Sequence, residues 1–467
     1  MASSAKDASP LQRATLDRAR REPDSPMQRL CHPAADPIAP KTPMPSHLPS
    51  LVFGLGRSGH AVLRALHRHQ RPALWFDDHP RPEDLAQTAA QGAPPWDPNA
   101  ARRPLHAVYA APGVPLDHPL LNTLRDQGAT ISGEADLAAE LASTPVIGIT
   151  GTAGKTSVTR FVTHLLQACG VQALAGGNID PPLVDVIEEA QVAVAELSSF
   201  QLERTHLLHP RVAVLLNLGV DHVDRHGSVE AYHHAKLRLL QHLTRDDVLV
   251  LPEQDPLVHT LAHRCPAARV TFAAGTSARE TNLNAARAAS TAFLRLHGIT
   301  FAEPTLDDAI ASAPEVSGRF QSLGALGHLE VFEDSIATRG IAVEAALRAA
   351  ASPCAWILGG VDKGADLHAL RATVAERVGL LIALGRDGAA MVQAYQDLAP
   401  HVVIAATEGE HALRDALSAV MRHPAAPTLR SIVLAPLAAS FDQFPHYQAR
   451  AEAFRKVVRE AQAQRGL

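Results

Sequence analysis

The sequence predicts an α/β protein of three domains, each built around a mostly parallel sheet. Three observations carry that expectation. The chain runs to 467 residues, and one core ordinarily serves roughly 100 to 200 of them. Short apolar runs recur along its length with helical stretches between them, the pattern of strands covered on both faces by helices. Two of those runs end directly in glycine-rich turns that open helices, at Gly54 and Gly151, which is how open α/β sheets hold phosphate groups.

Residues 1–48 are rich in Pro, Ser, Ala and Arg without sustained periodicity and read as a disordered extension with no chemistry of its own. The first domain is expected over 49–142, where a strand at 51–53, a glycine turn, a helix to Arg68 and a strand at 73–76 make a βαβ unit, followed by a strand at 107–110. The second, over 143–315, carries strands at 146–149, 192–195, 212–216 and 248–251. The third, over 316–467, carries strands at 329–332, 355–358, 380–384, 402–405 and 432–434.

Composition excludes several classes. The net charge is −5 and no basic run occurs, so nothing marks a nucleic-acid surface. No apolar run approaches the roughly 18 to 20 residues of a membrane span. The first ten residues lack the apolar core of a secretory signal, and Cys31, Cys169, Cys265 and Cys354 form no CxxC pair, so a reducing cytoplasm is the expected compartment. The chain favours arginine so strongly that only six lysines occur: Lys6, Lys41, Lys155, Lys236, Lys363 and Lys456. Where lysine persists within the folded body, an amine that can deprotonate is a reason for it that guanidinium cannot satisfy.

The first motif is Gly54-Leu55-Gly56-Arg57-Ser58-Gly59, set between a strand and a helix, with Asp77 and Asp78 about 20 residues on. Its glycines let backbone approach a phosphate at the helix N-terminus, and the acid can accept from a sugar or base. A nicotinamide or flavin cofactor and another diphosphate nucleotide are both compatible with it. The second motif, Thr150-Gly151-Thr152-Ala153-Gly154-Lys155-Thr156, is a phosphate loop with Ile149 where the usual first glycine would stand. Gly151, Thr152 and Gly154 present backbone amides to phosphate oxygens, Lys155 reaches the β- and γ-phosphates, and the Thr156 hydroxyl can coordinate Mg²⁺. Glu196 and His222 each follow a strand's C-terminal end, where such sheets place their sites and where both can serve as metal ligands.

This set of segments resembles the Mur ligase family over roughly 49–467. The phosphate loop, Gly177-Asn178-Ile179, Glu196-Leu197-Ser198-Ser199-Phe200-Gln201-Leu202-Glu203, Asn217 through Asp221-His222-Val223-Asp224-Arg225-His226, and Ala235-Lys236-Leu237-Arg238 follow in family order. Ala111-Pro112-Gly113-Val114-Pro115, Gly318-Arg319-Phe320, Glu333-Asp334-Ser335-Ile336-Ala337-Thr338-Arg339, Gly359-Gly360-Val361-Asp362-Lys363 and Ser440-Phe441-Asp442-Gln443-Phe444 with Tyr447 complete it, the last being similar to the branch that adds glutamate. The resemblance implies a Rossmann-like first domain for a uridine nucleotide, a central P-loop ATPase domain, and a Rossmann-like third domain for the amino acid and part of ATP.

By residue, it implies a UDP-substrate site of Gly54, Leu55, Gly56, Arg57, Ser58, Asp77, Pro112, Gly113, Asn178 and Ser199. ATP is expected at Gly151, Thr152, Gly154, Lys155, Thr156, Asn284, Arg319 and Asp334, and the amino acid at Thr338, Lys363, Ser440, Phe441 and Tyr447. Mg²⁺ would lie on Thr156, Glu196, His222 and a Lys236 carbamate made with CO₂, with Lys236, His222 and Glu196 the catalytic set. Ala153, Asp180 and Ile336 depart from the family pattern, Ile336 standing where some members have a lysine. The activity implied is ATP-dependent addition of an amino acid, D-glutamate by family default, to a uridine-linked muramoyl-alanine through an acyl phosphate, by a monomer acting on small molecules. A nicotinamide-dependent oxidoreductase would explain the Gly54 to Gly59 turn and Asp77 but leaves the phosphate loop, Lys236 and Lys363 unexplained, and a non-catalytic nucleotide-binding descendant or another amide ligase of the same superfamily is the remaining alternative.

Overall fold

A computed structural model describes residues 48–98, 104–314, 320–362, 364–405 and 409–464, with all side chains there except those of Asp224 and Ile341. Arg319 and Lys363, expected at the ATP and amino-acid sites, lie outside the described residues, as does the extension before residue 48. The chain forms three sheets in succession. The first has the order β2-β1-β3-β4, from β1 (Ser50–Phe53), β2 (Ala73–Phe76), β3 (Val108–Ala110) and β4 (Ile131–Ser132), all parallel.

The second sheet runs β10-β9-β8-β5-β7-β6, from β5 (Val146–Thr150), β6 (Ala173–Gly177), β7 (Val192–Glu196), β8 (Val212–Leu215), β9 (Val248–Pro252) and β10 (Ala268–Phe272), again all parallel. The third runs β11-β12-β16-β13-β14-β15, from β11 (Gln321–Leu326), β12 (Leu329–Glu333), β13 (Cys354–Gly359), β14 (Val378–Leu384), β15 (His401–Val403) and β16 (Ser431–Leu434). Here β11 pairs antiparallel with β12, and the other pairings are parallel. The expected α/β class holds, with one antiparallel edge strand added.

Period-two alternation along the middle strands explains how the first two sheets meet. Val192 and Val194 of β7, with Val212 and Val214 of β8, pack on Phe161 and Phe293 of the helices Lys155–Ala168 and Ala278–Leu296. The intervening Ala193, Ala195, Ala213 and Leu215 face the other way and share one apolar core with Val52, Leu137 and Ala138 of the first segment. At roughly 1.5–3 kcal/mol per large apolar side chain buried, that common core fixes the Gly54 turn relative to the phosphate loop. Polar ties reinforce it, among them Arg64 with Asp185 and the Arg57 guanidinium on the Asn178 carbonyl at 2.9 Å.

Glu134 is part of the same junction. It sits in the first turn of the helix Glu134–Leu141, 4% exposed, and its Oε1 accepts from the Val184 amide at 2.6 Å. Burial pushes its carboxyl up to about 7 from an ordinary 4.5, outweighing the backbone donors. An acid with a raised folded pKa keeps its proton better when folded, so stability is lost as the pH climbs from about 4.5 through 7. At about 1.4 kcal/mol per unit the full penalty is roughly 3 kcal/mol above pH 7. Glu134→Gln cannot ionise, so it is expected to raise the denaturant midpoint at pH 8 and leave it nearly unchanged at pH 5. An equal shift at both pH values would contradict this.

Candidate active site

The first sheet supplies a cleft. Gly54 turns the chain out of β1 at φ +91°, a left-handed conformation that favours glycine, and a Cβ at Gly59 would stand 1.9 Å from the Gly54 carbonyl oxygen. The helix Arg57–Arg68 can therefore open directly beneath the turn. The Leu55 amide donates to Asp77 Oδ2 at 2.6 Å, which ties the turn to the end of β2. Around it lies a cleft of about 560 Å³ lined by Gly54, Gly56, Arg57, Ser58, Asp77, Pro112, Gly113 and Asn178, and by Gln201. Leu55 packs its side chain in the core and offers only backbone. Ser199 is buried against His226, Oγ to Nε2 3.0 Å, and does not line the cleft.

Two arginines that sequence reasoning left without a role hold one wall of this cleft. Arg204 Nη2 donates to the Val114 carbonyl at 3.0 Å, and its Nη1 to that of Ala111. Arg225 Nη2 donates to the Pro112 and Val114 carbonyls at 2.9 and 2.8 Å, and its guanidinium lies 4.6 Å from the centre of the Phe200 ring. The carbonyls of the 111–114 loop are thereby drawn toward the second sheet. Arg204 directly follows one quoted motif and Arg225 lies within another, but nothing in their spacing says that they point at backbone.

In the second sheet the phosphate loop is held as a preformed cradle. Asn217 Oδ1 accepts from the amides of Thr152 and Ala153, each at 2.9 Å, and its Nδ2 donates to the Ala153 carbonyl at 3.1 Å. Gly154 caps the helix Lys155–Ala168 at φ +85°. Lys155 Nζ donates to the Gly151 carbonyl at 2.9 Å and to that of Thr152 at 3.2 Å. Lys236 Nζ, on the helix Val229–Leu237, reaches the same Gly151 carbonyl at 2.8 Å. Lys236 is 1% exposed and lies 4.5 Å from the centre of the Tyr232 ring. Burial, with Lys155 and Arg339 adding repulsion, holds its amine well below the usual lysine range. Burial likewise pushes the Tyr232 phenol up to about 12, and its hydroxyl donates to Thr152 Oγ1 at 3.1 Å.

Glu196, at the end of β7, is 2% exposed. One oxygen accepts from the Thr156 hydroxyl at 2.7 Å and the other from Asn178 Nδ2 at 2.8 Å. Asn178 thus touches the carboxylate beside the phosphate loop while lining the cleft of the first sheet. The Thr156 and Glu196 oxygens together suit a hard divalent cation. His222 adopts φ +50° and accepts at Nε2 from Arg339 Nη2, 2.8 Å away, so it faces the third sheet. Among the described residues no three His, Cys, Asp or Glu side chains form a metal-binding group. Arg339, the last residue of the 333–339 motif and given no role by it, also donates from Nη1 to the Thr152 carbonyl at 2.9 Å and lies 2.7 Å from Asp221 Oδ2. Asn284 turns its amide to the Ala273 carbonyl at 3.1 Å, whereas it is Asn282 whose Oδ1 lies against the Gly154 backbone.

The third sheet brings three loops together at the C-terminal ends of its strands. Val361 and Ala439 exchange backbone hydrogen bonds of 2.8 and 3.0 Å, joining the loop after β13 to the one that carries Ser440 and Phe441. The Leu437 amide donates to the Ala337 carbonyl at 2.9 Å, which brings in the loop of Asp334 and Thr338. Asp334 and Ser440 are buried, Thr338 is half-buried, and Phe441 is 66% exposed. Tyr447 opens the helix Tyr447–Ala463. From that helix Arg450 donates to the Ser335 and Ala438 carbonyls at 2.9 and 3.2 Å, and burial lowers its guanidinium to about 10.

Residues 149–320 match the family model described as the Mur ligase middle domain. The chain is 52% identical over 409 residues, 87% of itself and 96% of the relative, to the UDP-N-acetylmuramoylalanine--D-glutamate ligase of Thermus thermophilus. It is 45% identical over 423 residues, 87% of itself and 91% of the relative, to the protein of the same name from Deinococcus radiodurans. Among solved structures it is similar in fold to a pseudomurein peptide ligase type C from Methanothermus fervidus, with TM-score 0.56, 14% identity and 88% and 99% of the two chains covered. It is similar likewise to MurF from Acinetobacter baumannii, with TM-score 0.54, 15% identity and 87% and 93% covered.

Proposed function

The chain belongs to the Mur ligase family, and we propose that it joins D-glutamate to UDP-N-acetylmuramoyl-L-alanine at the expense of ATP, a step of peptidoglycan precursor synthesis. The observation that carries this reading is the position of Asn178, which lines the uridine-nucleotide cleft and also donates to Glu196 beside the phosphate loop. A substrate whose diphosphate rests on the Gly54 turn can run past Asn178 and present its terminal carboxylate to the γ-phosphate.

In this reading Gly54, Leu55, Gly56, Arg57, Ser58, Asp77, Pro112, Gly113 and Asn178 hold the UDP-substrate, with the Gly54 turn at the diphosphate and Asp77 toward the uridine. The amides of Gly151, Thr152 and Gly154, with Lys155 and Thr156, hold the ATP phosphates, and Asp334, Asn284 and Arg319 bind the rest of the nucleotide. Two anions at 4 Å repel by about 1 kcal/mol in water and several-fold more in a drier site, so the cationic side chains of the loop lower the barrier to their approach. Mg²⁺, held by Thr156 and Glu196 with His222 and the Lys236 carbamate as further ligands, would supply additional neutralisation there.

The surroundings of Lys236 support the carbamate. A buried amine crowded by Lys155 and Arg339 favours its neutral form, which is the form that adds to CO₂. The addition forms an N–C bond, releases one proton and turns a neutral amine into an anion where cations crowd. The alanyl carboxylate then attacks the γ-phosphorus and ADP leaves. The amine of D-glutamate, oriented by Thr338, Lys363, Ser440, Phe441 and Tyr447, attacks the acyl carbon, loses a proton and expels phosphate. Closure of the third sheet on the second shields the acyl phosphate from water. The protein acts as a monomer in the cytoplasm. The test uses substrate whose alanyl carboxylate is enriched in heavy oxygen: label is expected in the released phosphate, and phosphate free of label would overturn the acyl-phosphate route.

A further inference from the structure

We propose that Arg339 is a catalytic residue, a cation delivered by the third sheet to the phosphoryl group that leaves ATP. The proposal rests on the reading of the 151–156 loop as the ATP site, and it concerns a side chain that the sequence motifs did not assign.

The Gly151 carbonyl accepts from Lys155 Nζ at 2.9 Å and from Lys236 Nζ at 2.8 Å. The next carbonyl, Thr152, accepts from Lys155 Nζ at 3.2 Å and from Arg339 Nη1 at 2.9 Å. The Lys155 ammonium, the buried Lys236 amine and the Arg339 guanidinium therefore gather on two adjacent peptide oxygens of one phosphate loop. Peptide carbonyls are weak counter-charges for Lys155 and for Arg339, which Asp221 meets on its other side, whereas a polyphosphate between the two satisfies both. Lys155 and Lys236 belong to the second-sheet segment; Arg339 reaches the loop across 187 residues of sequence.

Arg339 is also placed for direct contact rather than for packing. It is the N-cap of the helix Gly340–Ala349, with extended backbone, so its origin is fixed by a regular element. Its side chain is 32% exposed and accessible to a ligand in the loop. Asp221 Oδ2, 2.7 Å away, and His222 Nε2, 2.8 Å away, steer the fork from one side. A guanidinium so held presents donors in a plane suited to phosphate oxygens. Thr338, directly before it, shares this short segment, so engagement of the γ-phosphate by Arg339 also draws the amino-acid loop toward the acyl centre.

The competing role is a latch that only ties the third sheet to the second. A latch does not distinguish nucleotides, whereas a γ-phosphate ligand does. Calorimetry on the full chain with Mg²⁺ should compare ADP with the β,γ-methylene analogue of ATP for the native protein, Arg339→Ala and Arg339→Lys. The expected result is that the preference for the analogue over ADP falls by roughly tenfold in Arg339→Ala, the worth of one charge-assisted hydrogen bond, with ADP affinity little changed. Arg339→Lys should fall between the two, and it carries the test if the alanine variant does not fold. An analogue-to-ADP ratio equal to that of the native protein in either variant would overturn the role of Arg339. Failure of the native chain to bind either nucleotide would instead overturn the ATP reading beneath it.

Discussion

Lys236→Arg is expected to reduce ligation by roughly 10²–10³-fold, the scale for loss of one preorganised electrostatic group, while ADP and the UDP-substrate still bind. Arginine preserves the positive charge but has no amine that can add to CO₂. If Lys236 acted only as a cation on the Gly151 carbonyl, arginine would substitute in part. Its bulk is a second difficulty in a position 1% exposed, so the informative partner is Lys236→Ala, which leaves space beside Tyr232. Formate or acetate is expected to restore part of the alanine variant's activity by supplying the missing carboxylate, and neither should help the arginine variant. A fully active Lys236→Arg chain would remove the carbamate from the account.

The second large effect is expected from one methyl group. In Gly59→Ala the new Cβ would lie 1.9 Å from the Gly54 carbonyl oxygen, a separation that backbone cannot tolerate, so the helix Arg57–Arg68 or the turn must shift. A misplacement near 1 Å can cost about 10²-fold, and the loss should appear as a higher KM for the UDP-substrate. ATP-analogue affinity should persist, because the phosphate loop lies on the second sheet. Calorimetric titration of the variant with each ligand separates the two sites, and unimpaired binding of the UDP-substrate would show that the turn does not carry the diphosphate.

What the sequence made legible follows from how locally each feature is encoded. The strands at 146–149, 192–195 and 212–216 are apolar runs buried on both faces, and the structure has them as β5, β7 and β8. The two-residue strand β4 was not foreseen, nor were three longer ones, β6, β10 and β11. The first is Ala-Leu-Ala-Gly-Gly with no β-branched residue, the second is an exposed edge, and the third breaks register between Ser322 and Ala325. The glycines of both phosphate-binding turns were readable because a positive φ or a close approach is written in the residue type. Arg204, Arg225 and Arg339 were not, because in an arginine-rich chain nothing local says which guanidinium will meet a loop from another sheet. Asn217 was quoted in a motif, yet its clamp on Thr152 and Ala153 depends on β8 lying beside β5. The approach of Asn282 to Gly154 was unreadable for a similar reason, since it depends on how the helix Ala278–Leu296 faces the loop.

The most direct test of the central claim is phosphate release from ATP in the presence of UDP-N-acetylmuramoyl-L-alanine, with D-glutamate, L-glutamate, L-alanine or meso-diaminopimelate added in turn. Release that depends on D-glutamate, accompanied by a product heavier by one glutamyl residue, is the result this account predicts. Release with a different amino acid and none with D-glutamate, or no release with any, would contradict it.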